Sequence, residues 1–294
     1  MELHHFEYFI KLSETEHMSE AAEALNVSQP ALSRALAKIE SEVGVALFDR
    51  RGRNLFINQY GKEFLKAAEK VMYDYRSVKM KINEMAGVES GTITLGFLHT
   101  VGSTYLPGFM HDFQLKYPNV QVKLVQNNSK VLNDLMLKGL IDVAVTIMID
   151  TIEPLTFEPL IEEILYVTVP KTHRFATRDK VSIVELCDEA FILLKPGFVL
   201  RKLVDQLLLE ENIIPEVAFE GEEIPTIASF VAADLGITII PKLFNFDMSD
   251  IVQIRIDRKV QPVRTLGMSW NVDVVDTKIK QSMKQALVEY FASI

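Results

Sequence analysis

The stretch Ser19–Arg53 decides the fold. It begins Ser19-Glu20-Ala21-Ala22-Glu23-Ala24-Leu25-Asn26-Val27-Ser28-Gln29-Pro30-Ala31-Leu32-Ser33-Arg34 and ends Leu47-Phe48-Asp49-Arg50-Arg51-Gly52-Arg53. Ser19 to Leu25 reads as a short Ala-rich helix, Asn26 and Val27 as a tight turn, and Ser28 to Val43 as a second, longer helix: a helix-turn-helix pattern. Ser28 can cap the second helix, and Pro30 is tolerated there because first-turn N–H groups have no intrahelical acceptor. Leu32, Leu36, Ile39 and Val43 recur at helical spacing and should form one apolar stripe. The opposite side presents Gln29 and Ser33 one turn apart, flanked by Arg34 and Lys38. An amide, a hydroxyl, a guanidinium and an ammonium on one exposed face suit the major groove, where Gln matches adenine edges and Arg matches guanine edges or phosphate.

From Leu47 to Ile57, apolar ends surround a tip of Arg50, Arg51, Gly52 and Arg53, the pattern of a two-stranded wing lying along a sugar-phosphate backbone. An amphipathic helix followed by a solvated charge cluster would also give each half of this pattern. The direct succession of helix, turn, polar helix face and basic wing favours a DNA-binding unit.

In its first sixty or so residues the chain resembles the DNA-binding domain of LysR-type transcriptional regulators. The residues that carry the likeness are Phe6 and Phe9, Ser19-Glu20-Ala21-Ala22 with Leu25, Ser28-Gln29-Pro30-Ala31-Leu32-Ser33, Ile39-Glu40, and Gly44 with Leu47-Phe48 and Arg50. The resemblance implies a mainly-α winged helix-turn-helix, a long linker helix, and an α/β effector domain of two subdomains resembling periplasmic binding proteins. It also implies double-stranded DNA and RNA polymerase as partners.

A chain of 294 residues with 48% hydrophobic content can bury a large core, and its length suggests two domains. A net charge of -9 argues against coating nucleic acid by bulk positive charge. Between Ser28 and Asn58, however, five basic residues (Arg34, Lys38, Arg50, Arg51, Arg53) outnumber three acidic ones (Glu40, Glu42, Asp49), so the basic surface is confined. Cys187 is the only cysteine, which excludes an intramolecular disulfide and a multi-cysteine metal site. His4 and His5 have no partner at metal-ligand spacing and read as surface residues; no metal or cofactor is expected. With no signal-like opening and no run near the roughly 20 apolar residues of a membrane span, the expected location is cytoplasmic.

Leu3 to Ser13 places Phe6, Phe9 and Ile10 at helical spacing, as core residues. From Tyr60 the pattern lengthens, and Phe64, Ala68, Val71, Tyr75, Val78, Ile82 and Met85 alternate steps of four and three, a coiled-coil seam whose simplest partner is a second copy. Two-fold pairing predicts an interrupted inverted repeat as target, with further association to a tetramer. Gly87 to Gly91 reads as a hinge. The expected domains are a winged helix over 1–58, a linker helix and hinge over 59–90, and an effector domain over 91–294. The last divides into one half of 91–162 plus 267–294 and another of 163–266.

Strand-like segments at 92–97, 120–125, 143–147, 165–169, 191–194, 216–219, 237–240 and 267–272 alternate with helix-like ones starting near Ser103, Ser129, Leu200 and Pro225, and a last one from about Asp276. Such alternation predicts largely parallel α/β sheets. This part also resembles LysR-type effector domains, in Gly91-Thr92-Ile93-Thr94-Leu95-Gly96-Phe97, Leu106-Pro107, Phe113 with Tyr117-Pro118, Leu135 with Gly139, Ile141-Asp142-Val143-Ala144, Val231, Gly236-Ile237 and Ile240-Pro241. The resemblance implies two lobes joined by crossing segments near Glu162 and Leu266, with a ligand cleft between them.

In parallel α/β sheets the binding crevice lies beyond the carboxyl ends of the strands, where helix N-termini carry about half a positive charge and free N–H donors. That geometry predicts a small anionic effector held by Thr100, Ser103, Asn128, Ser129, Phe198 and Thr226, although hydroxyls at helix starts often serve only as caps. Arg201 is either an anion partner or a surface residue. The Pro196-Gly197-Phe198-Val199-Leu200-Arg201 and Glu220-Gly221-Glu222-Glu223-Ile224 stretches look most like the branch of the family that governs glutamate synthesis.

Two rival readings fare less well. A Ser/His hydrolase using His99 and Ser103 lacks a Gly-x-Ser-x-Gly elbow, a phosphate loop, an HExxH motif and a carboxylate placed to orient His99. An architectural DNA binder without a ligand has no use for an α/β region of this size.

Overall fold

The computed structural model describes the backbone of residues 1–51, 54–85, 91–147 and 152–294, and their side chains except those of 50, 51, 54, 80, 81 and 83–85. The chain divides into two units, one built mainly on residues 1–88 and one on most of the remainder.

In the first unit, α1 (Leu3–Thr15), α2 (Met18–Ala24) and α3 (Gln29–Val43) precede a hairpin of β1 (Phe48–Arg51) and β2 (Asn54–Ile57), and α4 (Gln59–Met85) follows. Asn26 makes the tight α2–α3 turn at φ 54, a left-handed conformation that Asn accepts readily. Leu32, Leu36 and Ile39 of α3 bury against Phe9, Leu12, Ala21 and Ala22, each large side chain contributing ~1.5–3 kcal/mol. Val43, expected in that stripe, is exposed, because α3 runs beyond the core at its last turn. There Gly44 at φ 85 closes the helix, its N–H donating to the Glu40 carbonyl.

Three further expectations are corrected. Ser28 is the N-cap by backbone geometry, with its carbonyl accepting from Ala31 and Leu32, but its hydroxyl makes no capping bond. His5 is buried, since its Nδ1 accepts the Glu2 N–H in a reciprocal cap of α1; burial holds its pKa below the ordinary 6.5. Of this pair His4 alone is exposed. The first turns of α4 belong to the globular core: Phe64 lies 4.7 Å from Phe9 and 6.0 Å from Phe6 between ring centroids, and Ala68 is fully buried. Beyond them Val71, Tyr75, Val78 and Ile82 are 40–59% exposed along the helix. The Met85 side chain and residues 87–90 of the expected hinge lie outside the described residues.

The second unit runs β3 (Gly91–Phe97), α5 (His99–Thr104), α6 (Leu106–Lys116), β4 (Val120–Gln126), α7 (Ser129–Leu137), β5 (Val143–Ile147), β6 (Leu155–Pro170), β7 (Lys180–Val181), β8 (Ala190–Leu194), α8 (Val199–Glu210), β9 (Glu216–Gly221), α9 (Ile224–Ala232), β10 (Thr238–Pro241), β11 (Ile251–Ile256), β12 (Val263–Asn271) and α10 (Lys278–Ala292). β3 pairs in parallel with β4 and β5, and β8 with β9. The 16-residue β6 pairs antiparallel with β12 along 155–164, then with β10 and β11 along 165–170.

β6 and β12 therefore thread both lobes, and Glu162 faces Thr265 in their register. The sheets are mixed rather than largely parallel, because strands that cross between lobes in opposite directions must meet antiparallel. The first half of β6, β7 and β11 had no strand assignment from sequence. Each lobe has its own core, one around Leu95, Phe109, Phe113, Val143 and Leu287, the other around Val167, Phe191, Leu208, Ile227 and Ile254.

Candidate DNA-reading face and effector cleft

Ser28, at the N-cap of α3, and Gln29, Pro30, Arg34 and Lys38 within it are exposed and Ser33 is half-buried, so none of the six is fully buried in the core with the Leu32–Ile39 stripe. Lys38 reaches Glu2 at 3.4 Å and Ser19 Oγ lies 3.4 Å from Gln29 Oε1, weak exposed contacts that a groove would replace. Sequence reasoning gave Glu40 no role of its own. Its Oε1 accepts the N–H groups of Leu47 at 2.8 Å and Phe48 at 3.4 Å, and so fixes the start of the hairpin to α3. Arg50 sits in β1 opposite Leu55, with its side chain outside the described residues, as is the whole of Arg53.

In the second unit a cleft of about 510 Å³, open at its mouth, lies between the lobes. Thr100, Asn128, Ser129 and Phe198 all line it, as do His99, Lys130, Glu222, Glu223 and Arg264. The starts of α7, α8 and α9 meet there, because each follows directly from the end of a strand or its loop. No side chain caps α8 at Phe198, leaving first-turn N–H groups open to the cleft. Asn128 Oδ1 accepts the Val131 N–H at 3.0 Å and is thus a cap of α7. Ser129 is buried, with the Thr146 hydroxyl donating to its Oγ at 2.9 Å. Lys130 makes no ion pair with a described residue and stands exposed at the rim.

Two expected site residues lie elsewhere. Ser103 lines a separate cavity, and its hydroxyl donates to the carbonyls of Thr100 and His99 within its own short helix. Thr226 is exposed on α9 and lines neither cavity, since it turns outward while Ile224 and Ile227 face in. Arg201 is satisfied by Asp205, Glu220 and the Leu194 carbonyl, all within 2.8 Å, so it stabilises its own lobe.

The cleft floor holds residues that sequence reasoning missed. Arg264 is 4% exposed; its Nε donates to Glu163 Oε2 and its Nη2 to Thr100 Oγ1 at 3.2 Å. The Tyr105 hydroxyl donates to the other Glu163 oxygen at 2.9 Å, and burial together with that carboxylate pushes the Tyr105 pKa well above its usual range. The available signal was an arginine placed in the otherwise β-like run Val263–Trp270. Across the mouth His99 Nε2 lies 3.5 Å from Glu223 Oε1. A carboxylate does therefore stand beside His99, contrary to the sequence reading, but it comes from the other lobe, and the Ser103 hydroxyl is turned to the backbone instead of the imidazole. The arrangement is built for binding rather than nucleophilic attack.

The model of the LysR substrate binding domain matches residues 86–292, and that of the bacterial regulatory helix-turn-helix protein, lysR family, matches residues 3–62. The chain belongs to the LysR family. This LysR-type protein is a DNA-binding transcriptional regulator with an effector-binding domain, and not an enzyme. It is 39% identical over 292 residues to the HTH-type transcriptional regulator YybE of Bacillus subtilis, covering 99% of this chain and 100% of that one. It is 35% identical over 270 residues to the transcriptional dual regulator GltC of the same organism, covering 91% and 90%. Its fold is also similar to the effector binding domain of QuiR in complex with shikimate, at a TM-score of 0.65 and 22% identity, covering 69% of this chain and 98% of that one. Among the described residues no helix of this LysR regulator is long and apolar enough to cross a membrane, and no metal-binding cluster is present.

Proposed function

We propose that this regulator works in the cytoplasm as dimers paired through the exposed stripe of α4, associating further into tetramers, and that its paired α3 helices read an interrupted inverted repeat. Gln29, Ser33 and Arg34 read base edges. Ser28, Pro30 and Lys38 seat the helix, and Arg50 and Arg53 grip phosphates. A small anionic metabolite binds the cleft through Thr100, Ser129, Lys130 and the starts of α7 and α8, with Asn128 and Phe198 shaping the wall. Ser103 and Thr226 are not part of this set.

The observation that carries the reading is the convergence of three helix starts with an unpaired lysine on one cleft. That the similar QuiR effector domain forms a complex with shikimate, a carboxylate, adds support. Occupancy closes the lobes, alters how effector domains pack, and so changes the bend imposed on DNA and the contact with RNA polymerase.

Calorimetry of the full chain against a pool of organic and amino acids, with glutamate and its dicarboxylate relatives first, tests this. Binding by one anion that Lys130→Glu weakens about tenfold is expected, a difference of ~1.4 kcal/mol. Failure of every anion, or selective binding of a cation, refutes it.

A further inference from the structure

Behind the effector cleft, across the Arg264–Thr100 hydrogen bond, lies a second chamber of about 490 Å³ with its open mouth included. Both cavities are lined by Thr100, Ile224 and Arg264, so that one bond is a shared wall. The second chamber is otherwise different in character. Pro225, Pro241, Leu243, Phe244 and Phe246 supply apolar surface on one side, and Ser103 and Thr104 face them. Leu243 and Phe246 rest on the core of their lobe, and Asn245 Nδ2 donates to the Ser103 carbonyl of the other lobe at 3.1 Å, so the wall is anchored at both ends.

Its charges do not balance. Arg264 and Glu163, both more than nine-tenths buried, neutralise each other, whereas Lys242 lines the chamber with no ion pair to a described residue, its Nζ 5.5 Å from the Phe244 ring centroid. A void needed only for packing would be closed and dry. This one is open, carries a net positive charge and offers rings.

The geometry points to a second ligand site in this chamber, taking a small amphipathic monoanion whose carboxylate meets Lys242 and whose apolar body lies against Leu243, Phe244 and Phe246. Because Arg264 and Thr100 border both cavities, a ligand in one alters the hydrogen bonding available to the other, and the coupling is reciprocal. The site stands independently of which anion occupies the first cleft.

Phenylacetate is a suitable probe, titrated calorimetrically into the full chain. The expected result is binding with Kd near or below about 1 mM, weakened about tenfold when phenylacetamide replaces it or in Lys242→Glu, abolished in Thr104→Trp, and unchanged in Lys130→Glu at the rim of the first cleft. Lys242 is exposed, so its variant leaves the fold intact. Absence of phenylacetate binding overturns the proposal. So does binding that survives both chamber variants, or binding lost in Lys130→Glu alone, which would place the probe in the first cleft.

Discussion

Glu163 and Arg264 face each other in the β6–β12 ladder, one residue pair before β6 leaves β12 for the second lobe, and the ion pair they form is buried. Charge here is held at the place where the lobes join. Removing one member of such a pair costs far more than the pair itself contributes, because the other charge stays behind in a low-dielectric site.

Glu163→Gln should therefore lower stability by ~3–5 kcal/mol, since the amide leaves Arg264 uncompensated. Tyr105→Phe removes one donor to the carboxylate and should cost only ~1–3 kcal/mol. Urea denaturation of the three proteins measures both. Equal losses would mean that the carboxylate's charge is immaterial.

How much of this was legible in the sequence depends on the kind of signal. Helical spacing of Leu32, Leu36 and Ile39, the two-residue turn and the polar face with Gln29 are local, and α3 forms as they dictate. β11 and the first half of β6 were not legible, because Leu155–Glu163 carries four carboxylate or proline positions that interrupt an apolar pattern, and its pairing with β12 is made by distant residues. Thr100, Asn128, Ser129 and Phe198 could be placed in the cleft from strand ends alone. Arg264 and Lys130 could not, since nothing local tells a surface cation from one turned to a cavity. Ser103 and Thr226 were misplaced for a related reason: a hydroxyl near a helix start satisfies the backbone as readily as a ligand.

Glu40 holds the hairpin to α3 through two N–H groups, and hydrogen bonds to a charged acceptor contribute ~1.5–3 kcal/mol. Glu40→Ala should loosen the wing and weaken binding to every DNA sequence alike, with base preference retained. Mobility-shift titrations on a specific and a scrambled fragment distinguish this from a base-reading role, which would change their ratio.

His5 sets a pH dependence. Burial is the main cause that lowers its pKa below 6.5, so between that value and the folded-state pKa the unfolded chain binds more protons. The His5 contribution is then complete above 6.5 and is lost as pH falls through the folded pKa. Thermal unfolding should show a drop in stability from about pH 7.5 to about 5.5 that is reduced in His5→Gln, which keeps an acceptor for the Glu2 N–H. An identical pH profile in the variant contradicts this.

Tyr75 and Val78 are about half exposed on α4. A charge placed there disfavours a helix-helix seam and leaves the winged-helix core untouched. Tyr75→Asp with Val78→Asp should halve the mass seen by light scattering or lower it further from a tetramer, without lowering the melting temperature of the front unit. An unchanged mass would put the dimer contact elsewhere.

The most direct test of the central claim is a footprint titration of the full chain and of Gln29→Ala on fragments selected for tight binding. The account predicts two protected half-sites in inverted orientation, separated by about one helical turn of ~10–10.5 base pairs or a multiple of it, with selectivity relaxed by ~1–3 kcal/mol in the variant. Protection of a single half-site, or a Gln29→Ala footprint indistinguishable from that of the unsubstituted protein, would contradict it.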